Sequence, residues 1–129
     1  MWNVGDRVIG FKGSGGFSEQ AICNEYNIMP LPESMDYVTG SIFPLNYGTS
    51  IHAFKQRAEL QAEESVLIMG AAGGLGITAI HVAKAMGARV IAAASSQEKL
   101  DLCKDQGADD LILYSRDCLL YTSPSPRDS

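Results

Sequence analysis

Basic residues are in short supply: ten lysines and arginines face fifteen acids, for a net charge of −5 at neutral pH. A nucleic-acid binder needs a basic patch to neutralise phosphates, and this balance argues against that class of partner. Cysteine is also sparse. Cys23, Cys103 and Cys118 are an odd number at wide spacings, which supports neither a disulfide framework nor a zinc cluster. No apolar run approaches the roughly 18–20 residues that a membrane-spanning helix needs. After Met1 there is no basic stretch leading into an apolar one, and no arginine-rich leader. A reducing, cytoplasmic setting is expected. A mitochondrial one stays open, because the natural N-terminus is expected to be missing. What remains is ordinary: 129 residues, 46% hydrophobic and 19% charged, with a mean hydropathy near zero. That describes a soluble globular chain with room for one domain of usual size.

The first quarter, residues 1 to about 33, reads as β-rich. Arg7-Val8-Ile9-Gly10-Phe11 suits a short strand, Gly13-Ser14-Gly15-Gly16 a turn, and Phe17 to Cys23 a resumed extended run. Met29-Pro30-Leu31-Pro32 is pushed out of helical geometry by its prolines. Ser34 is the predicted N-cap of a helix over 35–57 that breaks at Pro44, with Tyr47, Ile51 and Phe54 at helical spacing beyond it.

From residue 65 the periodicity alternates. Val66-Leu67-Ile68-Met69 reads as a strand buried on both faces of a parallel sheet. A helix follows with Leu75, Thr78, Ala79, Val82, Ala83 and Met86 on one face, closed by Gly87. Val90-Ile91-Ala92-Ala93 is a second strand. Ser95 and Glu98 suggest a capping box for a helix over 97–106, closed by Gly107, and Leu111-Ile112-Leu113 is a third strand. The order βαβαβ implies a parallel sheet with right-handed crossovers, an α/β class.

Chemistry concentrates in Gly70-Ala71-Ala72-Gly73-Gly74-Leu75-Gly76, which lies between a strand and an amphipathic helix. Small residues there let a pyrophosphate reach main-chain N–H groups, and the helix N-terminus adds unpaired donors and a favourable dipole. With strand, turn, helix and second strand in register, the turn reads as a dinucleotide site. A tight packing turn without ligand is the alternative. About 20 residues past such glycines, an acid would accept from the adenosine ribose and select NAD. This chain has Ala93-Ala94-Ser95-Ser96 there, with Lys99 a turn later. Hydroxyls and an ammonium suit a 2′-phosphate, so NADPH is expected over NADH. A plain cap at Ser95 and a solvated Lys99 are the alternatives.

The run from Val66 to Gly76, the later Ala93-Ala94-Ser95-Ser96-Gln97-Glu98-Lys99-Leu100, and Gly5-Asp6-Arg7-Val8 resemble the zinc-free medium-chain dehydrogenase/reductases. Within them the likeness is to the NADPH:quinone oxidoreductase (zeta-crystallin-like) group. Gly15-Gly16-Phe17-Ser18-Glu19 and Pro44-Leu45-Asn46-Tyr47-Gly48-Thr49-Ser50 fit the same pattern. The resemblance implies a GroES-like β-domain remnant over 1–33 and the first half of an NADP-binding Rossmann domain, with its leading helices, over 34–117. It implies pyrophosphate contacts at Gly73, Gly74, Leu75 and Gly76. Ser95, Lys99 and Tyr114 would meet the 2′-phosphate, and Thr49 would approach the nicotinamide amide. A packed strand-end tyrosine and a helix-interior threonine are the plain readings of the last two. His81 stands where the family usually has glutamine and reads as a helix-surface residue; His52 reads as structural.

The implied reaction is hydride transfer from NADPH to a quinone or enone, by a parent protein that is a homodimer without zinc. No catalytic residue is identifiable in this chain. The resemblance implies that this chain holds mainly the adenosine half of the cofactor site, so the fragment itself is expected to be inactive, and its three strands would leave an open sheet edge prone to aggregation. Two other readings compete: an enoyl reductase module of a larger synthase, and a non-catalytic NADPH-binding protein. Finally, Cys118 to Asp128 resembles the in-frame translation of a sequencing-library adaptor, so 118–129 is expected to be a disordered tail that encodes nothing biological.

Overall fold

The computed structural model describes residues 1–114, which form two compact units, Met1–Pro44 and one that starts at Leu45. The tail from Cys118 onward, with its expected adaptor origin, lies outside the described residues.

In the first unit, β1 (Val8–Gly10) pairs antiparallel with β2 (Ile28–Pro30), matching Val8 with Pro30 and Gly10 with Ile28. The extended run expected over 17–23 forms no strand. The partner of β1 comes instead from the segment after a short 3₁₀ turn, Glu25–Asn27, where Asn24 accepts the Tyr26 N–H. Pro30 is tolerated because this is a two-stranded ribbon in which one side of each strand is unpaired. Arg7 gathers the following loop. Its guanidinium donates to the carbonyls of Pro32, Glu33 and Met35 at 3.0, 3.0 and 2.6 Å and lies 4.7 Å from the centre of the Tyr37 ring.

Helix α1 (Tyr37–Ile51) departs from expectation at its start and in the middle. Its start is held by Asp36, not Ser34: Asp36 accepts from the Thr39 N–H at 2.7 Å and from the Thr39 hydroxyl at 2.8 Å. These bonds also hold the Asp36 carboxyl below its ordinary pKa, the backbone N–H of Thr39 first. The helix does not break at Pro44. Proline removes one donor there, while the Ser50 hydroxyl donates to the Asn46 carbonyl one turn back and packs 3.3 Å from that of Thr78 on a neighbouring element. A π-helical segment, His52–Arg57, continues from it.

In the second unit, β3 (Ser65–Met69), β4 (Arg89–Ala94) and β5 (Asp110–Leu113) form a parallel sheet in that order, joined by α2 (Gly74–Ala85) and α3 (Gln97–Asp105). This is the expected βαβαβ unit of a Rossmann-like fold. Val66 aligns with Val90, and Ile68 with Ala92 and Leu111. These residues share the face on which the core forms. Ile80 of α2 is fully buried against it, a position absent from the predicted apolar stripe, while Leu75 of that stripe is half exposed. Burial on both faces, expected for β3, is met in β4 instead, where Ala92, Ala93 and Ala94 are all buried. Leu67, Met69 and Ile112 point to the opposite face and remain 55, 47 and 46% exposed, because α2 and α3 build their core on one face alone. Gly87 and Gly107 close the helices in left-handed geometry, as expected. Opposite the site, Lys84 and Arg89 pair with Asp109 and Asp110 at 2.8 and 2.7 Å.

Candidate nucleotide site

The loop after β3 turns at once. Gly70 has φ +61°, a left-handed value that favours glycine. Its carbonyl accepts the Gly73 N–H at 3.1 Å, while the Ala71 N–H reaches across to the Ala93 carbonyl at 3.1 Å. Gly73 is the N-cap of α2 and has no side chain with which to cap it, so the first N–H groups of the helix stay available to a ligand. Gly76 serves a different end. A Cβ there would lie 2.5 Å from the Ala71 carbonyl oxygen, so the loop can fold back onto the helix only over glycine.

Two clefts meet at this loop. The larger, about 490 Å³, is walled by Thr49 and Ser50 of α1, Phe54, Met69, and the loop from Gly70 through Gly73, Gly74, Leu75 and Gly76. The smaller, about 290 Å³, is lined by Gly70, Ala72, Gly73, Ala94, Ser95, Lys99 and Tyr114. Gly70 and Gly73 belong to both. All eight residues singled out in the sequence therefore line one or other of two clefts that share these glycines: Thr49, Gly73, Gly74, Leu75 and Gly76 in the larger, and Gly73 again with Ser95, Lys99 and Tyr114 in the smaller. Each of the two clefts is within the volume range of small-molecule sites or just below it.

The capping of α3 differs from expectation in a way that matters here. Ser96, not Ser95, is the N-cap, and its hydroxyl accepts the Lys99 N–H at 3.4 Å. Glu98 is then one position short of a capping box. Ser95 is left free to accept from the Lys99 ammonium at 3.2 Å, which brings a hydroxyl and a cation together on one wall of the smaller cleft. Tyr114 follows β5 and continues its ladder, its N–H donating to the Ala94 carbonyl at 3.1 Å. It is thus a strand-end residue and a cleft wall at once. The Thr49 hydroxyl donates to the Leu45 carbonyl of its own helix, so the structure leaves both readings of that residue standing.

Three neighbours were not singled out beforehand. The Asn46 carbonyl accepts from the Ser50 hydroxyl at 3.0 Å, and the Thr78 hydroxyl, 2.9 Å from the Leu75 carbonyl of its own helix, lies 3.3 Å from both the Asn46 carbonyl and the Ser50 hydroxyl. The helical spacing of 46 and 50 was visible in the sequence, but their match to Thr78 on α2 was not. His81 is half buried rather than a surface residue, bonded on both ring nitrogens. His52 is exposed and pairs with Gln56 within its own segment.

A family profile described as zinc-binding dehydrogenase matches residues 74–121. The chain is 41% identical over 116 residues to the bovine (Bos taurus) quinone oxidoreductase-like protein 2, an alignment covering 89% of this chain and 33% of that protein. It superposes with a TM-score of 0.81 on the quinone oxidoreductase of Thermus thermophilus, a protein crystallised also as its complex with NADPH. The identity is 39%, with 86% of this chain and 37% of that one covered. Over most of its own length the chain is similar to quinone oxidoreductases. It spans about a third of the length of the curated quinone oxidoreductase relatives it matches. It is also 37% identical over 115 residues to a highly reducing polyketide synthase of Penicillium crustosum, covering 88% of this chain and 5% of the synthase. The profile's name mentions zinc; among the described residues, no group of three or more histidines, cysteines or acids is placed to hold a metal ion. No helix among them is long and apolar enough to cross a membrane.

Proposed function

We propose that this quinone oxidoreductase-like segment holds the adenosine side of an NADPH site, in a protein that transfers hydride from NADPH to a quinone or enone. The observation that carries this reading is the Ser95–Lys99 pair, freed from capping by Ser96 and set in a cleft continuous with the glycine loop. The fit is chemical. A 2′-phosphate brings negative charge and several acceptor oxygens, which suit an ammonium, a hydroxyl and the Tyr114 phenol. The pyrophosphate suits the uncapped start of α2 at Gly73, Gly74 and Leu75, with Gly76 keeping the loop tight. Thr49 would meet the nicotinamide end.

NADPH, when bound, supplies the hydride. What this chain's residues do is bind and orient: they fix one end of a long ligand so that its other end has few places to go. We read 1–33 as part of a GroES-like β-domain and 34–117 as the first half of the NADP-binding domain. Zinc has no part in this reading, and the whole protein is read as a homodimer of the cytoplasm. The likeness to a polyketide synthase supports a second reading, an enoyl reductase module, in which the nucleotide site is the same and only the acceptor differs.

Fluorescence titration of the chain with NADPH and NADH tests the site. The expected result is tighter binding of NADPH, with Lys99→Ala erasing roughly three- to tenfold of the preference. Equal dissociation constants for the two nucleotides in the unsubstituted chain would refute the 2′-phosphate assignment.

A further inference from the structure

Neither cleft includes His81, yet its side chain joins the elements that form them. It lies on α2, its Nδ1 2.9 Å from the Tyr47 hydroxyl and its Nε2 2.8 Å from Gln106 Oε1. An amide oxygen only accepts, so Nε2 carries the imidazole hydrogen and Nδ1 receives that of Tyr47. The two rings also stack, with centroids 6.1 Å apart and planes 21° from parallel. One line of side chains thus runs from α1 through α2 to the residue that ends α3.

Its place along α1 gives the line its consequence. Tyr47 lies between Asn46, whose carbonyl receives the Ser50 hydroxyl and lies 3.3 Å from that of Thr78, and Thr49, which walls the larger cleft with Ser50. Ser50 and Thr78 are 3 and 7% exposed. The α1 wall is therefore pinned to α2 at two levels, through Thr78 near the glycine loop and through His81 almost one turn further along. The smaller cleft has further supports of its own, the β4–β5 ladder up to Tyr114 and the Ser96 cap of α3, and His81 meets α3 only at Gln106, about two turns from Lys99.

We infer that Tyr47 and His81 are positioning residues for the nicotinamide side of the nucleotide site, setting the width of the larger cleft without touching the ligand. This rests on the NADPH reading above, and it separates the two ends of that ligand. The test is to titrate the 129-residue chain with NADPH and with adenosine 2′,5′-bisphosphate, which carries the adenosine end alone. Tyr47→Phe keeps the ring and removes one hydroxyl, so it preserves the fold even if His81→Leu does not. Both substitutions should weaken NADPH roughly three- to tenfold, the worth of a hydrogen bond or two, and leave the bisphosphate within about twofold. His81→Gln can accept from Tyr47 and donate to Gln106 through one amide, and it should restore most of the loss. A parallel loss of both ligands, or no loss of NADPH in Tyr47→Phe, would mean that the line is structural only and overturns the inference. If the unsubstituted chain binds neither nucleotide, the NADPH reading itself fails and this inference with it.

Discussion

Replacing Gly76 by alanine should disrupt the glycine loop through sterics alone, with no ligand present. The added Cβ would lie 2.5 Å from the Ala71 carbonyl oxygen, 2.6 Å from its carbon and 2.7 Å from its Cα. Carbon pairs settle at about 3.5–4.0 Å, so three backbone atoms must retreat by about 1 Å. They have little freedom to do so, because Ala71 is fully buried and its N–H is bonded to the Ala93 carbonyl of β4. Overpacking of this kind costs about 1–3 kcal/mol, and a clash with backbone belongs at the upper end. Alanine returns up to about 1 kcal/mol over glycine in a helix. A net loss of about 2 kcal/mol should lower the melting temperature by roughly 10 °C in a domain of this size, read by circular dichroism. Gly73→Ala is the control. Gly73 has φ −75° and ψ 165°, open to any residue, and its Cβ would meet only the Gly70 carbonyl oxygen, at an ordinary 3.5 Å. It should melt close to the unsubstituted chain yet bind NADPH less well, since its methyl enters the space where the clefts meet. A Gly76→Ala variant that melts with the unsubstituted chain would refute the steric role of Gly76, as would a Gly73→Ala variant that falls equally far.

Two further outcomes follow from the same geometry. Asp109 is held below its ordinary pKa, first by the Lys84 hydrogen bond and then by the Val90 N–H. A carboxylate depressed in the folded state adds stability above the unfolded value of about 3.9, and that stability fades as pH falls through the lower folded value. Urea midpoints at neutral and strongly acidic pH should therefore converge in Asp109→Asn, which lacks this share of the acid sensitivity; an unchanged gap would count against it. Ser96→Ala should lose the α3 cap, about 1 kcal/mol of stability seen as a lower melting temperature, while Ser95→Ala should melt normally. The reverse order would return Ser95 to the capping role.

Much of the second unit was legible because its signals are local. The apolar runs at Val66 and Val90 and the helix-ending glycines at 87 and 107 each depend on a few neighbouring residues, and each predicted element formed there within a residue or two. The first unit was harder. The choice of Ile28–Pro30 over Phe17–Cys23 as partner of β1 is made by pairing across a long loop, which periodicity does not record. At Pro44 the local rule said stop, but the helix runs on, with Ser50 bonded back to Asn46 and packed against Thr78 from a distant part of the sequence. Exposure of Leu67, Met69 and Ile112 was hidden for a related reason. An apolar run shows that a strand suits burial on two faces, and only the helices present decide how many faces are covered.

The two adjacent serines show how a small error in local structure can conceal a site. Read as a cap, Ser95 has its hydroxyl committed to backbone, and Lys99 stands alone on a helix surface. Moving the cap by one residue to Ser96 satisfies the same helix end and leaves Ser95 unspent, 3.2 Å from the Lys99 ammonium. Sequence spacing could not choose between them, since both serines precede the helix and both can accept an N–H three residues on. The choice is made by β4, which runs to Ala94 and so brings Ser95 to the mouth of the cleft beside Gly70 and Gly73. A strand one residue shorter would have returned Ser95 to the cap and removed the hydroxyl from the wall. The nucleotide preference proposed for this chain thus depends on where β4 ends as much as on which residues follow it.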